Sequence, residues 1–532
     1  MKKLLLACLI VFACARPQAA LELWPHYWMV PFDRGQTRPD SAASEITIRV
    51  TPGEYEPAAF AVRSPADVQV TVSLADLPAD WFTLEHASGR TDSTALNRLL
   101  PVEGPVTVKA AETAFFWLTV RPPADTPAGS YKGKVVVETG SGRSELPVAC
   151  EVLPFTLAES AILDGAFMFL IDLPPGWYQD MKEHGFDAIQ FFTWEYAIVQ
   201  REQDRSAWPW DPVPVKIKRE GDRLALDFTT MDAIMGRIVE AGMKGPVVFS
   251  LGNDHHLFYE CCLAEAFGLK VDSLPSNQGR IIWGPKISKE LDRLFVEGLE
   301  QLRDHWKEKA YPQELVLLIY DEPTERLLDR CKNRYDLIKS FWPEVRIYGV
   351  VMNRRDWAES MLDQMDIIVT NGGFEENGDL ARSSGKDFWV YGGVRDQHDG
   401  RYQMGLLPWK NRASGSFFWM YNYWQYDPDG CAVYMHPGDP NRIVHSPAWE
   451  AMREGHDDLR YIATAEMLIA KADPDKQEPA RRRLEALRRS LGWGRARGGR
   501  RMEGASYETR AELYALTDKV RSEVIEIITG LL

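Results

Sequence analysis

After Pro154 the chain changes its rhythm, and that change limits the folds open to it more than any other feature. Short apolar runs begin to alternate with amphipathic stretches. Most of the runs are apolar on both faces, as parallel strands covered by helices must be. Eight candidate strands fall at 165–172, 187–192, 246–251, 315–320, 345–351, 365–369, 388–391 and 415–421. Segments with apolar residues at three-and-four spacing lie between several of them, and 231–241, 288–306 and 325–341 are expected to be helices. Eight such units spell an α/β chain with a TIM-like (β/α)8 barrel, placed over 158–446, although the fifth to seventh helices are weakly marked.

The flanking regions read differently. From 21 to 157 the pattern is period-two alternation in EITIRV, AAFAVRS, VQVTVSL, AFFWLTVRP, KGKVVVETG and ELPVACEVLPF, which predicts an antiparallel β-sandwich. The turn PPADTPAGSY supplies Pro127 and Gly129, a fixed φ followed by a permissive residue. Within the barrel, 201–227 is too long for a plain loop and is expected to add a hairpin around Glu220, Gly221 and Asp222 that overhangs the mouth. The remainder, 447–532, reads as a helical C-terminal segment. Its basic run RRRLEALRRS…GWGRARGGRR is expected to be a solvated helix face and loop, with a polyanion contact as the lesser reading.

A chain of 532 residues with 45% hydrophobic and 26% charged residues has enough apolar mass for more than one core. Its formal net charge of -15 would repel a phosphate backbone, which argues against nucleic acid and for a neutral or weakly charged substrate. Residues 1–20 carry Lys2 and Lys3, an apolar run and small residues at Ala19 and Ala20, the pattern of a secretory signal. Export to the periplasm or the exterior is therefore expected. Val11-Phe12-Ala13-Cys14 loosely resembles a lipobox and leaves a lipid anchor as an alternative, while no later stretch is apolar for long enough to span a bilayer. Beyond the signal, five scattered cysteines make neither a disulfide framework nor a zinc pattern.

The stretch LVLLIYDEPTE ends the fourth candidate strand and runs through Tyr320 into the adjacent acids Asp321 and Glu322. At the carboxyl-end rim of a barrel this would be chemistry; on local grounds alone it would be a helix cap with Pro323 in the first turn. Other strand ends weigh toward chemistry. GSFFWMYNYWQY offers Trp419, Asn422 and Trp424, DFWVYGGVRD offers Trp389, Tyr391 and Arg395, and FSLGNDHH offers Asn253, Asp254, His255 and His256. Flat aromatic faces stack against the C–H side of a sugar while its hydroxyls need polar neighbours, so the expected partner is a glycan or glycoconjugate. Tyr391, Trp419, Asn422, Trp424, Asn253, His255 and Tyr320 are the expected substrate contacts. Cys261 and Cys262 join the histidines in NDHHLFYECC, yet adjacent histidines on an extended segment point apart. No metal and no cofactor is called for.

Adjacency constrains the mechanism. A retaining glycosidase with its own nucleophile needs carboxylates about 5 Å apart on opposite sides of the bond. Consecutive residues have Cα atoms about 3.8 Å apart on one wall. They suit a division of labour in which Glu322 protonates the glycosidic oxygen and Asp321 orients a 2-acetamido group whose carbonyl oxygen attacks the anomeric carbon. Asp321 must then stay ionised beside the cationic intermediate, and its charge favours the protonated form of Glu322.

The segments GEYEPAAFAVRS, TPAGSYKGKVVV, LLIYDEP, GSFFWMYNYW and MREGHDDLRYI resemble glycoside hydrolase family 123, the bacterial β-N-acetylgalactosaminidases, over nearly the whole chain after the signal. The resemblance implies a β-sandwich, a barrel and substrate-assisted retaining hydrolysis. It makes Asp321 the acetamido-orienting residue, Glu322 the acid/base, Tyr391 a partner of the acetamido carbonyl, and Trp419, Asn422 and Trp424 the lining of the terminal-sugar pocket. The segment YGGVRDQHDGRYQMG departs from the family pattern in being richer in charged residues and glycine. Two other readings stay open. One is a glycosidase of other specificity using Glu322 with Glu195 or Asp254, and the other is a non-catalytic carbohydrate-binding protein that retains the barrel.

Overall fold

The computed structural model describes residues 21–168, 172–192, 214–252, 257–275, 281–323, 325–394, 396–422, 432–436, 438–491, 496–497, 500–501 and 510–532. Eight parallel strands close into a barrel. They are β1 (Leu163–Met168), β2 (Ala188–Phe192), β3 (Val247–Ser250), β4 (Leu315–Leu318), β5 (Arg346–Val350), β6 (Ile367–Thr370), β7 (Asp387–Gly393) and β8 (Gly415–Trp419). β8 pairs back onto β1, with Gly165 opposite Phe417, so no edge is left open.

Each strand contributes to two apolar layers, which is why its sequence is apolar on both faces. Val248, Val316, Leu318, Tyr348, Val350, Ile367, Val369, Trp389 and Phe417 fill the barrel interior. Phe249, Leu315, Leu317, Ile347, Ile368, Phe388 and Phe418 face outward against the helices. The three expected helices are Thr229–Glu240, Lys289–Lys309 and Glu325–Phe341. Lys289–Lys309 is capped by Ser288, whose side chain accepts a hydrogen bond from the Leu291 amide. After β5, β6 and β7 the helices are short, with Arg355–Ser360, Phe374–Ser383 and Gln397–Arg401, the last continuing through a widened turn over Tyr402–Leu406.

The expected hairpin is present as Lys216–Glu220 paired with Arg223–Asp227, and Gly221 supplies the positive φ of 68° that the turn requires. The preceding part of the insertion, 201–213, lies outside the described residues. The amides of Leu224 and Leu226 donate to Glu297 and Gln301, which lays the hairpin along the flank of Lys289–Lys309.

The sandwich packs a five-stranded sheet against a larger one. Its buried side chains include Ile48, Val50, Phe60, Phe116, Val135, Val137 and Val148, with the Phe60 and Phe116 rings stacked at 5.0 Å. Pairing is antiparallel except where Ile46–Val50 runs parallel to Gly142–Val152. The larger sheet takes its last two strands, Val433–His436 and Asp439–His445, from beyond β8, with His445 opposite Leu99. Sandwich and barrel are therefore linked through a shared sheet, and the stretch 433–445, placed in the barrel from its sequence position, is a sandwich strand pair.

The helix Pro447–Lys471 carries the MREGHDDLRYI segment and joins the modules through buried charge. His445 sets its two ring nitrogens against Asp180 at 2.8 Å and Glu450 at 2.9 Å, and two acceptors of this kind require the doubly protonated ring. Burial opposes that charge, yet the two carboxylates hold the imidazole well above its usual range. Further along the helix, Arg521 from Arg510–Leu531 binds Glu56 at 3.0 Å, Glu454 at 2.7 Å and Asp458 at 2.6 Å. Arg401 binds Asp458 and Asp518, each at 2.8 Å, and Tyr461 donates to Glu54 at 2.8 Å. No helix among the described residues is long and apolar enough to cross a membrane.

Carboxylates crowd this junction, and burial raises Glu54, Glu56 and Glu454 above the usual carboxylate range. Burial and then the Asp457 charge push Glu54 up to about 8, against the pull of Arg521. Burial likewise raises Glu454 to about 7, with Arg521 opposing and Asp457 adding. An unfolded glutamate titrates near about 4.3, so the folded protein holds protons that the unfolded chain releases. This contribution is complete below the unfolded value and is lost as pH rises through the folded one, and the raised His445 works in the same direction. Thermal melting should therefore fall as pH rises from about 5 to about 8. Glu54→Gln, which cannot ionise, should flatten that slope in melts across the range, and an unchanged slope would contradict the assignment.

Candidate active site

Side chains of the barrel interior climb toward the carboxyl-end rim two residues at a time. On β7 the step runs from Trp389 to Tyr391, and on β8 from Phe417 to Trp419. Trp389, Phe417 and Tyr348 form an aromatic floor, with ring centroids 5.3 Å apart for Trp389 and Phe417 and 5.5 Å for Tyr348 and Trp389. The Trp389 indole donates to Ser414 at 3.1 Å and is buried, so it belongs to this floor and not to the rim. Trp419 stands one step higher. It is 37% exposed, and its ring lies 4.5 Å from that of Phe167 on β1.

The acids sit where β4 stops. The Asp321 amide donates to the Gly252 carbonyl at 2.9 Å, which ties the segment to the end of β3. Glu322 has a φ of 48°, a left-handed conformation that costs a non-glycine residue about 1–2 kcal/mol. That turn breaks the strand alternation, and both carboxylates act on one phenol. The Tyr391 hydroxyl donates to Glu322 Oε1, while burial and the charges of Glu322 and Asp321 hold its proton well above the usual phenol range. Burial and then the Asp321 charge do the same to Tyr348 on the floor. Both tyrosines therefore keep their hydroxyl proton at neutral pH.

Asn371, which the sequence reading did not single out, completes the group. Its amide donates to Tyr391 Oη at 2.9 Å and reaches Glu322 Oε1 at 3.4 Å. It directly follows β6 in a loop pinned by Thr370, whose hydroxyl lies within hydrogen-bond reach of the Met352 and Gly372 carbonyls and donates its one hydrogen to either. The buried Asn377 amide reaches Thr370 Oγ1 and the Gly372 carbonyl, each at 3.4 Å. The sequence TNGG carries only a turn signal there.

Of the expected contacts, the structure brings Tyr391 to the acid pair, sets Trp419 on the open rim, and buries Asn422 just past β8. Tyr320 is not placed with them. It is 3% exposed, and its hydroxyl donates at 2.5 Å to Glu260 on Phe258–Phe267, in the layer between strands and helices. Glu260 is clamped by Arg334 Nε at 2.7 Å and by Arg330, which also donates to the Pro285 carbonyl at 2.8 Å. This buried ion cluster anchors the residue immediately before the acids. Asn253, Asp254, His255, His256, Trp424, Arg395 and Glu195 lie outside the described residues. Cys261 and Cys262 are buried in the same helix as Glu260, and burial pushes the Cys261 thiol up to about 12. Two groups of described residues could bring three ligand atoms within 4.8 Å, Asp180–His184–His445 and Asp396–His398–Asp399, and neither includes the acid pair or its partners.

A rim of this kind, at the end of a barrel where catalysis is built, is that of a carbohydrate-active enzyme. The glycoside hydrolase 123 catalytic domain matches residues 176–465, more than half of the chain. The chain belongs to glycoside hydrolase family 123, a family of glycosidases. Its fold is similar to that of a family 123 glycoside hydrolase from Clostridium perfringens, whose structural analysis concerns glycolipid glycan hydrolysis. The two share 13% identity over 96% of this chain and 99% of that one, with a TM-score of 0.72. An endo-β-1,4-mannanase from Thermotoga petrophila overlaps less, at 14% identity over 57% of this chain and 77% of that one, with a TM-score of 0.35. No curated protein matches the chain.

The position of Tyr320 is testable by removing its hydroxyl. Tyr320→Phe leaves Glu260 one donor short, and a buried hydrogen bond to a charged group is worth about 1.5–3 kcal/mol. Urea unfolding should register a loss of that order while KM for a glycoside substrate stays unchanged. A raised KM with full stability would return Tyr320 to the substrate pocket.

Proposed function

We propose that this protein is an exported, exo-acting β-N-acetylhexosaminidase that favours N-acetylgalactosamine and works by substrate-assisted retention. The observation that carries the reading is the pair of adjacent carboxylates at the end of β4, with the Tyr391 phenol donating to Glu322 and the Asn371 amide donating to that phenol. Glu322 is the acid and base. In the first step its proton passes to the glycosidic oxygen, the C1–O bond breaks toward the leaving group, and the acetamido oxygen of the substrate bonds to C1. Asp321, ionised, accepts the acetamido N–H and offsets the charge of the resulting oxazolinium ion. Water then attacks C1, the bond to the acetamido oxygen opens, and the water proton returns to Glu322. Trp419 supplies a flat apolar face for the sugar. The family likeness to a protein concerned with glycolipid glycans makes the sugar of a glycolipid or other glycoconjugate the favoured substrate. Export rests on the first twenty residues, and a mature chain beginning at Leu21 is the expected product.

A panel of aryl β-glycosides tests the sugar class. Cleavage of the N-acetylgalactosaminide with no cleavage of the galactoside is the expected result, and the reverse preference would remove any need for the acetamido group. Glu322→Gln and Asp321→Asn should each lower kcat by about 10²–10⁴ with melting unchanged. Full activity in both would end the assignment. A thiazoline mimic of the cyclised intermediate should compete with substrate.

A further inference from the structure

The hydrogen bonds around Tyr391 raise a question of proton allocation. A phenol has one hydrogen to donate, and in this site it goes to Glu322 Oε1. The Asn371 amide points one hydrogen at the phenol oxygen, at 2.9 Å, and lies 3.4 Å from the same Glu322 oxygen. Asn371 thus occupies the acceptor side of the tyrosine and leaves its hydrogen free to face the acid. Burial of Tyr391 and the two nearby carboxylates keep that hydrogen in place at neutral pH.

From this triangle we infer that Asn371 is a positioning residue that sets where the Tyr391 proton goes, and that the two donors together stabilise the ionised form of Glu322. The inference rests on the glycosidase reading above. When Glu322 carries its own proton it no longer needs the phenol hydrogen, which is free for the acetamido carbonyl of the substrate. Once that proton has moved to the glycosidic oxygen, Glu322 is a carboxylate, and Tyr391 and Asn371 are aimed at the oxygen that has just become charged. Two preorganised donors at a developing charge assist the transfer itself more than they assist binding. The loop supports the placement, because Thr370 and Asn377 hold the backbone on either side of Asn371.

This role makes a distinctive kinetic demand. Help to the acid matters when the leaving group is a poor one that needs protonation, and little when it departs readily as an anion. Asn371→Ala should lower kcat about 10–100-fold on aryl N-acetylgalactosaminides with weakly acidic phenols and no more than about 3-fold on a dinitrophenyl leaving group, with KM within about 3-fold throughout. Tyr391→Phe and the double variant should be non-additive, since the two residues act on one oxygen. Asn371→Ser, which retains a small donor, should recover part of the loss and guards against a folding defect, which melting of each variant would reveal. Equal losses across leaving groups, or an effect confined to KM, would overturn this role while the glycosidase reading stands. A wild-type enzyme that cleaves none of the panel would overturn both.

Discussion

Closure of the barrel is the constraint on which the site depends. Glu322 and Tyr391 are 69 residues apart in the chain, and they touch because β4 and β7 end on one rim of the ring. β5 and β6 lie between them and contribute Tyr348 to the floor and Asn371 to the wall. Four consecutive strands thus assemble the acid pair and its donors. Beneath them the stacked rings of Trp389 and Phe417 close off the barrel interior, so the polar groups stand on a packed apolar floor.

The rest of the molecule holds that rim in place from behind. Glu260, bound by two arginines and by Tyr320, fixes the residue before Asp321, and the Gly252 carbonyl fixes Asp321 itself. Such a buried cluster is strongly destabilised by the loss of one partner, which suits an anchor better than a source of net stability. The left-handed conformation of Glu322 is tolerated because the segment is tied on its N-terminal side in this way. Farther out, the charged junction around Arg521 and His445 ties the sandwich, the barrel and the C-terminal helices together.

Much of this was legible in the sequence, for identifiable reasons. Parallel strands covered on both sides are apolar runs of fixed length, so all eight barrel strands stood out and their observed bounds differ from the expected ones only at the ends. Glu325–Phe341 was readable to the residue because its apolar positions keep helical spacing. The short helices after β5 to β7 were not, since pieces of five to ten residues carry too few turns to show a period. Long-range pairing was also hidden. Nothing in 433–445 announces that it will join a sheet begun at Glu22. At the site, adjacency made Asp321 and Glu322 conspicuous, and the end of the seventh strand together with the family resemblance offered Tyr391. The strand period gave no warning that Tyr320 turns outward, because the residues after Leu318 leave the regular strand. Asn371 could be found only from the fold, since an Asn-Gly pair is a turn signal whatever else it does.

At the centre of the proposed mechanism an amide of the substrate is the nucleophile, while the protein supplies only acid, counter-charge and alignment. The most direct measurement is kcat/KM for aryl hexosaminides whose N-acyl group carries zero to three fluorines. Each fluorine weakens the acyl oxygen as an attacking group with little change in its size, and a steep fall in rate along the series is the result that neighbouring-group attack predicts. A flat series would mean that the protein provides its own nucleophile, and that Asp321 does not orient an acetamido group for attack beside the acid Glu322.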